Sequence, residues 1–180
     1  MVLDVRSTPY SKRYPQYNRE ELQLVLKAHQ LGYQGFGLWF GARQPDQEFY
    51  TEEGWLHYRA FTKSALFKEG VRTLDQCLIQ GHIPALMCSE KDPFDCHRAI
   101  MVSRALTLMG YELKHILADG SIQTQTELDQ RLLDKYFPKR EQGSIFDLID
   151  GAMSPEQMLE EAYFKRNEAI AWRIESPEES

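Results

Sequence analysis

The sequence predicts an α/β fold built around a mainly parallel β-sheet. Short apolar runs at 2–5, 83–88 and 113–117 are typical of strands, and the stretches between them carry apolar residues at helical spacing. Strands that alternate with helices form βαβ units, in which the strands run parallel. Glycines and prolines punctuate the ends of these segments. We therefore predict one α/β domain followed by helices.

The first half of the chain begins with a strand and a helix that are joined by a loop. Val2 to Val5 is the strand, and the polar, aromatic loop after it contains Pro9 and Pro15. Asn18 is a predicted helix N-cap, because acidic residues follow it where the helix dipole favours negative charge. The other elements predicted in this half are a strand over 33–40, a helix starting within 55–65 and a helix over 71–80.

The second half is predicted to contain two more strands and several helices. A nearly continuous apolar run at 83–88 indicates a buried strand, and 94–109 indicates an amphipathic helix. Ser154 is a predicted N-cap, followed by a proline and a capping-box glutamine. The remaining elements are a strand over 113–117, a helix over 128–136, a charged linker over 138–143 and a last helix ending near residue 172.

The change of character after residue 123 predicts the domain organisation. We expect an α/β domain over 1–123, a C-terminal helical extension over 124–174 and a disordered acidic tail over 175–180.

The composition excludes several classes of protein. With 42% hydrophobic and 27% charged residues, the 180-residue chain has the composition of a folded globular protein. A net charge of −6 argues against a broad basic face for non-specific nucleic-acid binding. We expect no membrane partner, because no apolar run has transmembrane length. Three cysteines, an odd number, without an export signal indicate reduced thiols and a cytoplasmic location.

Three segments of the chain share motifs with a known family. They are Leu3-Asp4-Val5-Arg6-Ser7 with Pro9, Tyr10, Ser11 and Arg13; Leu86 to Pro93 leading to Cys96-His97-Arg98; and Lys114-His115-Ile116 with Asp119-Gly120. Their combination resembles the family catalogued as domain of unknown function number 488. The resemblance covers roughly residues 2–122, and it implies a Rossmann-like three-layer fold with these segments at one rim of the sheet. It implies no particular reaction.

The chain departs from the family pattern at two places. Family members usually begin with another strand and helix, so we expect this fold to lack the family's first strand. An exposed sheet edge would follow, and with it a homodimer formed through that edge. The family's Gly-Gly-Arg after the second strand corresponds here to Gly41-Ala42-Arg43. The resemblance therefore implies a ligand-binding role for Arg43.

Polar residues follow the strand ends, where open parallel sheets bind ligands. The carboxyl end of the first strand carries Asp4, Arg6 and Ser7. A predicted helix begins at Cys96 to Arg98, and its free N–H groups favour an anion. Arginine adds bidentate recognition of phosphate or carboxylate. The residues predicted to bind a ligand are Asp4, Arg6, Ser7, Arg13, Arg43, Cys88, Glu90, Arg98 and His115.

The charge count of the loop before Cys96 limits the anion hypothesis. Glu90, Asp92 and Asp95 oppose Lys91 and Arg98, so the loop is slightly acidic. An anion site at this loop requires Arg6 or Arg13 as a further partner. The alternative for Asp4 and Arg6 is a buried ion pair that holds loops together.

The cysteines offer a second kind of chemistry. Cys96 is the predicted nucleophile, because a helix N-terminus and the adjacent His97 both favour thiolate, and His97 is the alternative catalytic group. Zinc bound by Cys88, Cys96 and His97 is a further alternative, although their spacing lacks the closely spaced pair of cysteine ligands that is usual in zinc sites. A disulfide between the two cysteines is disfavoured in the cytoplasm. The alternative for Cys88 and Cys96 is core packing, and that for His97 and His115 is the capping of carbonyls. Cys77 is predicted to lie in the core.

The loop after the first strand interleaves aromatic and basic residues. Tyr10, Arg13, Tyr14 and Tyr17 suit stacking on nucleobases, and the alternative is a loop packed by its own tyrosines.

These observations lead to one functional hypothesis and two alternatives. The leading hypothesis is a protein that binds a phosphate-bearing, nucleotide-like ligand at the strand-end rim, with thiol or histidine chemistry if it is an enzyme. The first alternative is a non-enzymatic module that binds nucleic acid or protein. The second is a redox-active or metal-binding thiol protein.

Overall fold

The computed structural model describes residues 1–140 and 153–174, which form two compact units. Of these residues, the first unit comprises 1–90 and 171–174, and the second comprises 91–140 and 153–170. The predicted α/β class is confirmed, because parallel strands and helices alternate along the first unit.

A three-stranded parallel sheet forms the centre of the first unit. Its strands are β1 (Val2–Asp4), β2 (Tyr33–Gly35) and β3 (Ala85–Met87), arranged in the order β2-β1-β3. Leu3 pairs with Gln34 on one side and with Leu86 on the other. The central position of β1 explains why Leu3 is fully buried. This arrangement is compatible with the predicted Rossmann-like three-layer fold.

Helices connect the strands of the first unit. The helix α1 lies between β1 and β2, where it packs on β2, and three helices precede β3. Aromatic side chains form much of the core, among them Phe36, Phe40, Phe61 and Phe67, all fully buried. The helices are α1 (Arg19–Ala28), α2 (Gly37–Phe40), α3 (Tyr58–Phe61) and α4 (Ala65–Ile79), with 3-10 turns at Pro15–Tyr17 and Gln47–Phe49.

Two strand predictions in this unit are corrected by the structure. The strand predicted over 33–40 ends at Gly35, and the next residues form α2. Phe36 and Phe40 are four residues apart and both fully buried, which helical spacing achieves and strand alternation does not. The strand at 83–88 is shorter than predicted and not buried along its length, since Ile83 is 87% exposed.

The second unit contains a π-helical segment, an antiparallel hairpin and two long helices. The predicted helix over 94–109 is instead a 3-10 turn, a residue in extended conformation at Cys96, a π-helical segment and a short α-helix. The strand predicted at 113–117 pairs antiparallel with a second strand that was not predicted. The elements are the 3-10 turn Pro93–Asp95, the π-helical Arg98–Ser103, α5 (Arg104–Leu108), β4 (Lys114–Ile116), β5 (Ile122–Thr124), α6 (Gln125–Tyr136) and α7 (Pro155–Ile170).

Of the two C-terminal helices of the second unit, α7 begins at the predicted cap, whereas α6 begins at Gln125, before its predicted start at 128. The N–H of Ser154 donates to Gln157 Oε1 at 2.7 Å, and the N–H of Gln157 donates to Ser154 Oγ at 3.2 Å, which confirms the capping box. Helices α6 and α7 pack together. Leu128, Leu132 and Ala162 are fully buried.

The compact units divide the chain differently from the predicted domains. The boundary predicted between 1–123 and 124–174 falls inside β5, within the second unit. That division into a family domain and an extension remains a prediction. The predicted tail at 175–180 and the end of the predicted linker lie outside the described residues. Among the described helices, none combines the length and the hydropathy that a membrane crossing needs.

Candidate anion-binding site

A cavity of about 330 Å³ opens beyond the carboxyl ends of β1 and β2 in the first unit. Its volume lies within the range of small-molecule sites. Its lining comes from the segment after β1, from the first turns of α1, from β2 and from the start of α2. The lining residues are Asp4, Arg6, Ser7, Pro9, Arg19, Gln23, Tyr33, Gly35, Gly37 and Leu38.

A buried carboxylate organises one wall of the cavity. Asp4 is only 1% exposed, and Arg6 binds it through Nε at 2.8 Å and through Nη2 at 2.5 Å. The Arg6 N–H and the Tyr33 hydroxyl also donate to Asp4, at 3.1 Å and 2.7 Å. Four donors thus satisfy the carboxylate, as a buried charge requires. Asp4 thus positions Arg6 and Tyr33, and its predicted contact with a ligand stays a prediction.

The same network shifts the pKa values of its members. Hydrogen bonding to Asp4 raises the pKa of Arg6 above its already high ordinary value. Burial, followed by the hydrogen bond to Asp4, raises the pKa of Tyr33 to about 12. Arg6 therefore stays charged and Tyr33 stays neutral throughout the physiological range of pH.

The segment Arg6–Ser7 is held against α2 by two close backbone approaches. A Cβ placed on Gly37 would lie 2.3 Å from the Arg6 carbonyl oxygen, and one on Gly41 would lie 2.4 Å from Ser7 Oγ. Only glycine permits these approaches. The Ser7 hydroxyl oxygen also accepts a hydrogen bond from the Arg43 N–H at 2.9 Å. The floor of the cavity is therefore fixed by its backbone.

Arg19 gives the cavity its net charge. Among the lining residues, Arg6 and Asp4 cancel, which leaves the positive charge of Arg19. The guanidinium of Arg19 lies beside Tyr33, where its charge acts against the rise in the tyrosine pKa. Arg19 is also the first residue of α1, so the helix dipole adds to the positive potential there. The cavity is thus suited to an anion.

Four of the predicted ligand residues of the first unit lie outside the cavity lining. The guanidinium of Arg13 lies 5.3 Å from the centre of the Tyr14 ring, and that of Arg43 lies 5.2 Å from the centre of the Trp172 ring. The Cys88 thiol donates to Glu90 Oε2 at 2.7 Å. Only Asp4, Arg6 and Ser7, of the predicted set, line this cavity.

The predicted catalytic residues belong to the second unit. Cys96 is fully buried and His97 is 7% exposed, while Arg98 is half-buried. The carbonyl of Cys96 accepts the N–H groups of Ala99 and Ile100, so Cys96 stands where a helix N-cap stands. A buried thiol needs local opening before it reacts with a reagent in solution. Its role as a nucleophile stays a prediction.

The predicted zinc ligands are divided between the units. Cys88 belongs to the first unit, where Glu90 is its hydrogen-bond acceptor. Cys96 and His97 belong to the second unit and are both buried. Zinc binding by these three residues stays a prediction.

The acidic loop before Cys96 is neutralised by the C-terminal helices of the second unit. Arg131 on α6 binds Asp92 through two nitrogens, at 2.7 Å and 3.0 Å. Arg166 on α7 binds Asp95 and donates to the Phe94 carbonyl oxygen at 2.9 Å. The hydrogen bond to Arg131 holds the pKa of Asp92 below its ordinary value. The acidic residues that opposed an anion in the sequence count already have partners.

His115 belongs to a buried chain of hydrogen bonds. It is 4% exposed, and its Nε2 lies 2.9 Å from Gln125 Oε1. The Gln125 amide N–H donates to the Tyr163 hydroxyl oxygen at 2.6 Å, and the Tyr163 hydroxyl donates to Asp129. Because the Gln125 oxygen accepts, Nε2 of His115 carries the proton. Burial, before any other cause, lowers the pKa of His115.

Sequence reasoning missed Arg19, Gln23 and Tyr33. The signal for Arg19 was present, since Arg19 is a cation in the first turn of α1, where the helix dipole disfavours positive charge, and residues that break a local rule are candidates for a site. Gln23 is one turn further along that helix, and an exposed glutamine there carries no signal. Tyr33 opens β2, and nothing local distinguishes it from a packed strand aromatic.

Comparison with known proteins gives a family and no individual relative. Neither the search of curated proteins nor the search of solved structures returned a match. The family model described as "Domain of unknown function DUF488" matches residues 1–105, which is more than half of the chain. That range contains the Asp-Val-Arg-Ser segment of the cavity and the Cys-His-Arg segment of the second unit. The chain therefore belongs to the DUF488 family.

Proposed function

We propose that this protein binds a phosphate-bearing small molecule, of nucleotide-like size, in the cavity of the first unit. The observation that carries the proposal is the charge of Arg19, which no acidic residue in the cavity lining balances once Asp4 is paired with Arg6. Phosphate oxygens match the forked guanidinium donors of arginine, which can bind them through two parallel hydrogen bonds.

The geometry supports a divided role for the two arginines. Arg6 is 9% exposed, and its bidentate bond to Asp4 uses two of the five guanidinium N–H donors. It is therefore pre-oriented and loses little conformational entropy when a ligand binds. Arg19 is exposed and supplies the net charge that attracts the anion.

The lining supports binding more directly than catalysis. It contains no cysteine and no histidine, and its carboxylate already accepts four hydrogen bonds. The Tyr33 hydroxyl keeps its proton, because its pKa is about 12. These groups recognise an anion without transferring a proton to it.

The test is a titration of the purified protein with inorganic phosphate, pyrophosphate and ribose 5-phosphate by isothermal calorimetry. Arg19→Gln removes a charge-assisted hydrogen bond, which is worth about 1.5–3 kcal/mol, and should weaken binding about tenfold to a hundredfold. Lys27→Gln is the matched control, since Lys27 lies on the same helix outside the cavity and is exposed.

Two results would contradict the proposal. One is that the unmodified protein binds none of the three ligands. The other is that Arg19→Gln and Lys27→Gln bind them equally well, which would move the anion site away from this cavity.

A further inference from the structure

The loop between β1 and α1 exposes three aromatic rings while its backbone is fixed. Tyr10, Tyr14 and Tyr17 are 50%, 49% and 53% exposed. The Ser11 N–H donates to Asn18 Oδ1 at 2.6 Å, and the Ser11 hydroxyl oxygen accepts from the Tyr14 N–H at 3.1 Å. About half of each ring thus faces solvent, while Arg13 lies over the Tyr14 ring and Arg19 over the Tyr10 ring. Three half-exposed rings within eight residues form a surface available for stacking.

Arg19 connects this loop to the cavity. Its guanidinium carbon lies 5.9 Å from the centre of the Tyr10 ring, and the same residue lines the cavity. The Arg19 N–H also donates to the Pro9 carbonyl oxygen at 3.1 Å, and Pro9 is a lining residue next to Tyr10 in the chain. A ligand held by Arg19 would thus reach the Tyr10 ring without any rearrangement of the backbone.

We propose that the ligand is a mononucleotide, with its phosphate on Arg6 and Arg19 and its base stacked on Tyr10. The inference rests on the proposed function, because it uses the same cavity for the phosphate. A nucleobase presents a π-face to which tyrosine and arginine both stack. Tyr10 is further held by the hydrogen bond from its hydroxyl to Glu20 Oε1 at 2.9 Å, so its ring is oriented before binding.

The charges around the loop favour a mononucleotide over a nucleic-acid strand. Glu20 and Glu21 lie in the first turn of α1 beside the tyrosines, and the chain carries a net charge of −6. A strand brings one phosphate for each nucleotide and needs a groove of several cations. A mononucleotide needs only the local charge that Arg19 provides.

The experiment compares AMP with ribose 5-phosphate by isothermal calorimetry, since the two ligands differ by the base. Stacking of one base is worth about 1–3 kcal/mol, so AMP should bind about fivefold to 150-fold more tightly. In Tyr10→Leu, AMP and ribose 5-phosphate should bind with equal affinity. Tyr10→Phe keeps the ring and should preserve the tighter binding of AMP. Tyr17→Leu, in the same loop, is the matched control and should behave like the unmodified protein.

The outcomes separate this inference from the proposed function. Equal affinities for AMP and ribose 5-phosphate would overturn base stacking and leave phosphate binding intact. Tight binding of a single-stranded oligonucleotide without binding of AMP would overturn it in favour of a nucleic-acid module. O-phosphotyrosine bound more tightly than AMP would overturn it in favour of a phosphopeptide. Failure of both sugar phosphates to bind would contradict the proposed function itself.

Discussion

The cavity of the first unit and the polar chain of the second unit differ in how completely their charged groups are paired. In the cavity, Asp4 neutralises Arg6, and Arg19 adds a positive charge that no acidic lining residue balances. In the second unit, the chain of hydrogen bonds from His115 ends on Asp129, which faces Arg104 at 4.0 Å. The first network is open to an anion, whereas the second is closed on itself.

This difference separates binding from stability. A closed network rigidifies the unit that contains it and offers little to a ligand. The open network contains an exposed cation, Arg19, which lies beside the Tyr33 hydroxyl and Glu20 and is not paired with a carboxylate of the cavity lining. The predictions below test whether the cavity depends on its backbone and whether the second unit depends on its polar chain.

The largest effect is expected for Gly37→Ala. The new Cβ would lie 2.3 Å from the Arg6 carbonyl oxygen, so the backbone that carries Arg6 must move. We expect a loss of about 1–3 kcal/mol of unfolding free energy, together with the loss of anion binding. Denaturant unfolding and phosphate calorimetry measure the two effects.

Gly35→Ala is the matched control for this change. A Cβ on Gly35 would meet nothing closer than Arg19 Nη2, at 4.0 Å. It should therefore cost little stability. Equal stability of the two variants and the unmodified protein would show that the close approach at Gly37 does not shape the cavity.

The second prediction concerns a substitution at the centre of the closed network. Tyr163→Phe removes the hydroxyl that accepts from Gln125 and donates to Asp129, and it leaves both of those groups without that partner. An unsatisfied buried group costs about 1–3 kcal/mol, so we expect a destabilisation of this size. Anion binding by the first unit should not change.

Tyr136→Phe, on α6, is the control for Tyr163→Phe. Within the described residues the Tyr136 hydroxyl makes no hydrogen bond, so removing this hydroxyl should leave the unfolding free energy almost unchanged. If the two substitutions had the same effect, the polar chain would contribute nothing to stability.

The third prediction concerns the pH dependence of the closed network. Burial lowers the pKa of His115 in the folded protein below its ordinary value of 6.5, with Arg98 acting in the same direction and Gln125 and Asp129 against it. The unfolded chain then binds more protons than the folded protein at pH values between the two pKa values. The contribution of His115 is therefore complete above pH 6.5 and is lost as the pH falls through that window.

Unfolding measured at several pH values in the unmodified protein and in His115→Gln isolates this contribution. The unmodified protein should lose stability below pH 6.5 that the variant retains relative to its own value at neutral pH. His29→Gln, at the exposed end of α1, is the control. Parallel pH curves for all three proteins would contradict a neutral, buried His115.

Much of the fold was predictable, because alternation of strands and helices is a local property of the sequence. The parallel sheet follows from that alternation and is confirmed. The error at 33–40 arose where a short apolar run fits both periods, and the tertiary contact between Phe40 and Phe67 on α4 decided for the helix. The strand β5 was missed because its three residues include only one apolar side chain.

The site was predictable only in part, because its members approach through the fold. Asp4, Arg6 and Ser7 were found since they follow one strand directly. The arginine partners of Asp92 and Asp95 lie 39 and 71 residues further along the chain, so no local count of charge includes them. That long-range pairing removed the acidic objection to an anion site at the loop before Cys96, whereas the proposed site lies at Arg19 in the first unit.

The smallest effect is expected for Arg131→Gln. This substitution tests whether the ion pair between Arg131 and Asp92 contributes to the stability of the second unit as the His115 chain does. The Arg131 and Asp92 side chains are 38% and 43% exposed, so solvent screens their interaction. A pair of this kind contributes about 0–1 kcal/mol, and that contribution decreases as salt is added. We therefore expect a small loss of unfolding free energy at low salt, which disappears at high salt, whereas the loss in Tyr163→Phe persists.

The exposed Lys139→Gln is the charge-matched control. A salt-independent loss of several kcal/mol in Arg131→Gln would place the acidic loop, and not only the His115 chain, inside the structural core of the second unit. Arg131 and Arg19 would then differ in burial as well as in the presence of an acidic partner.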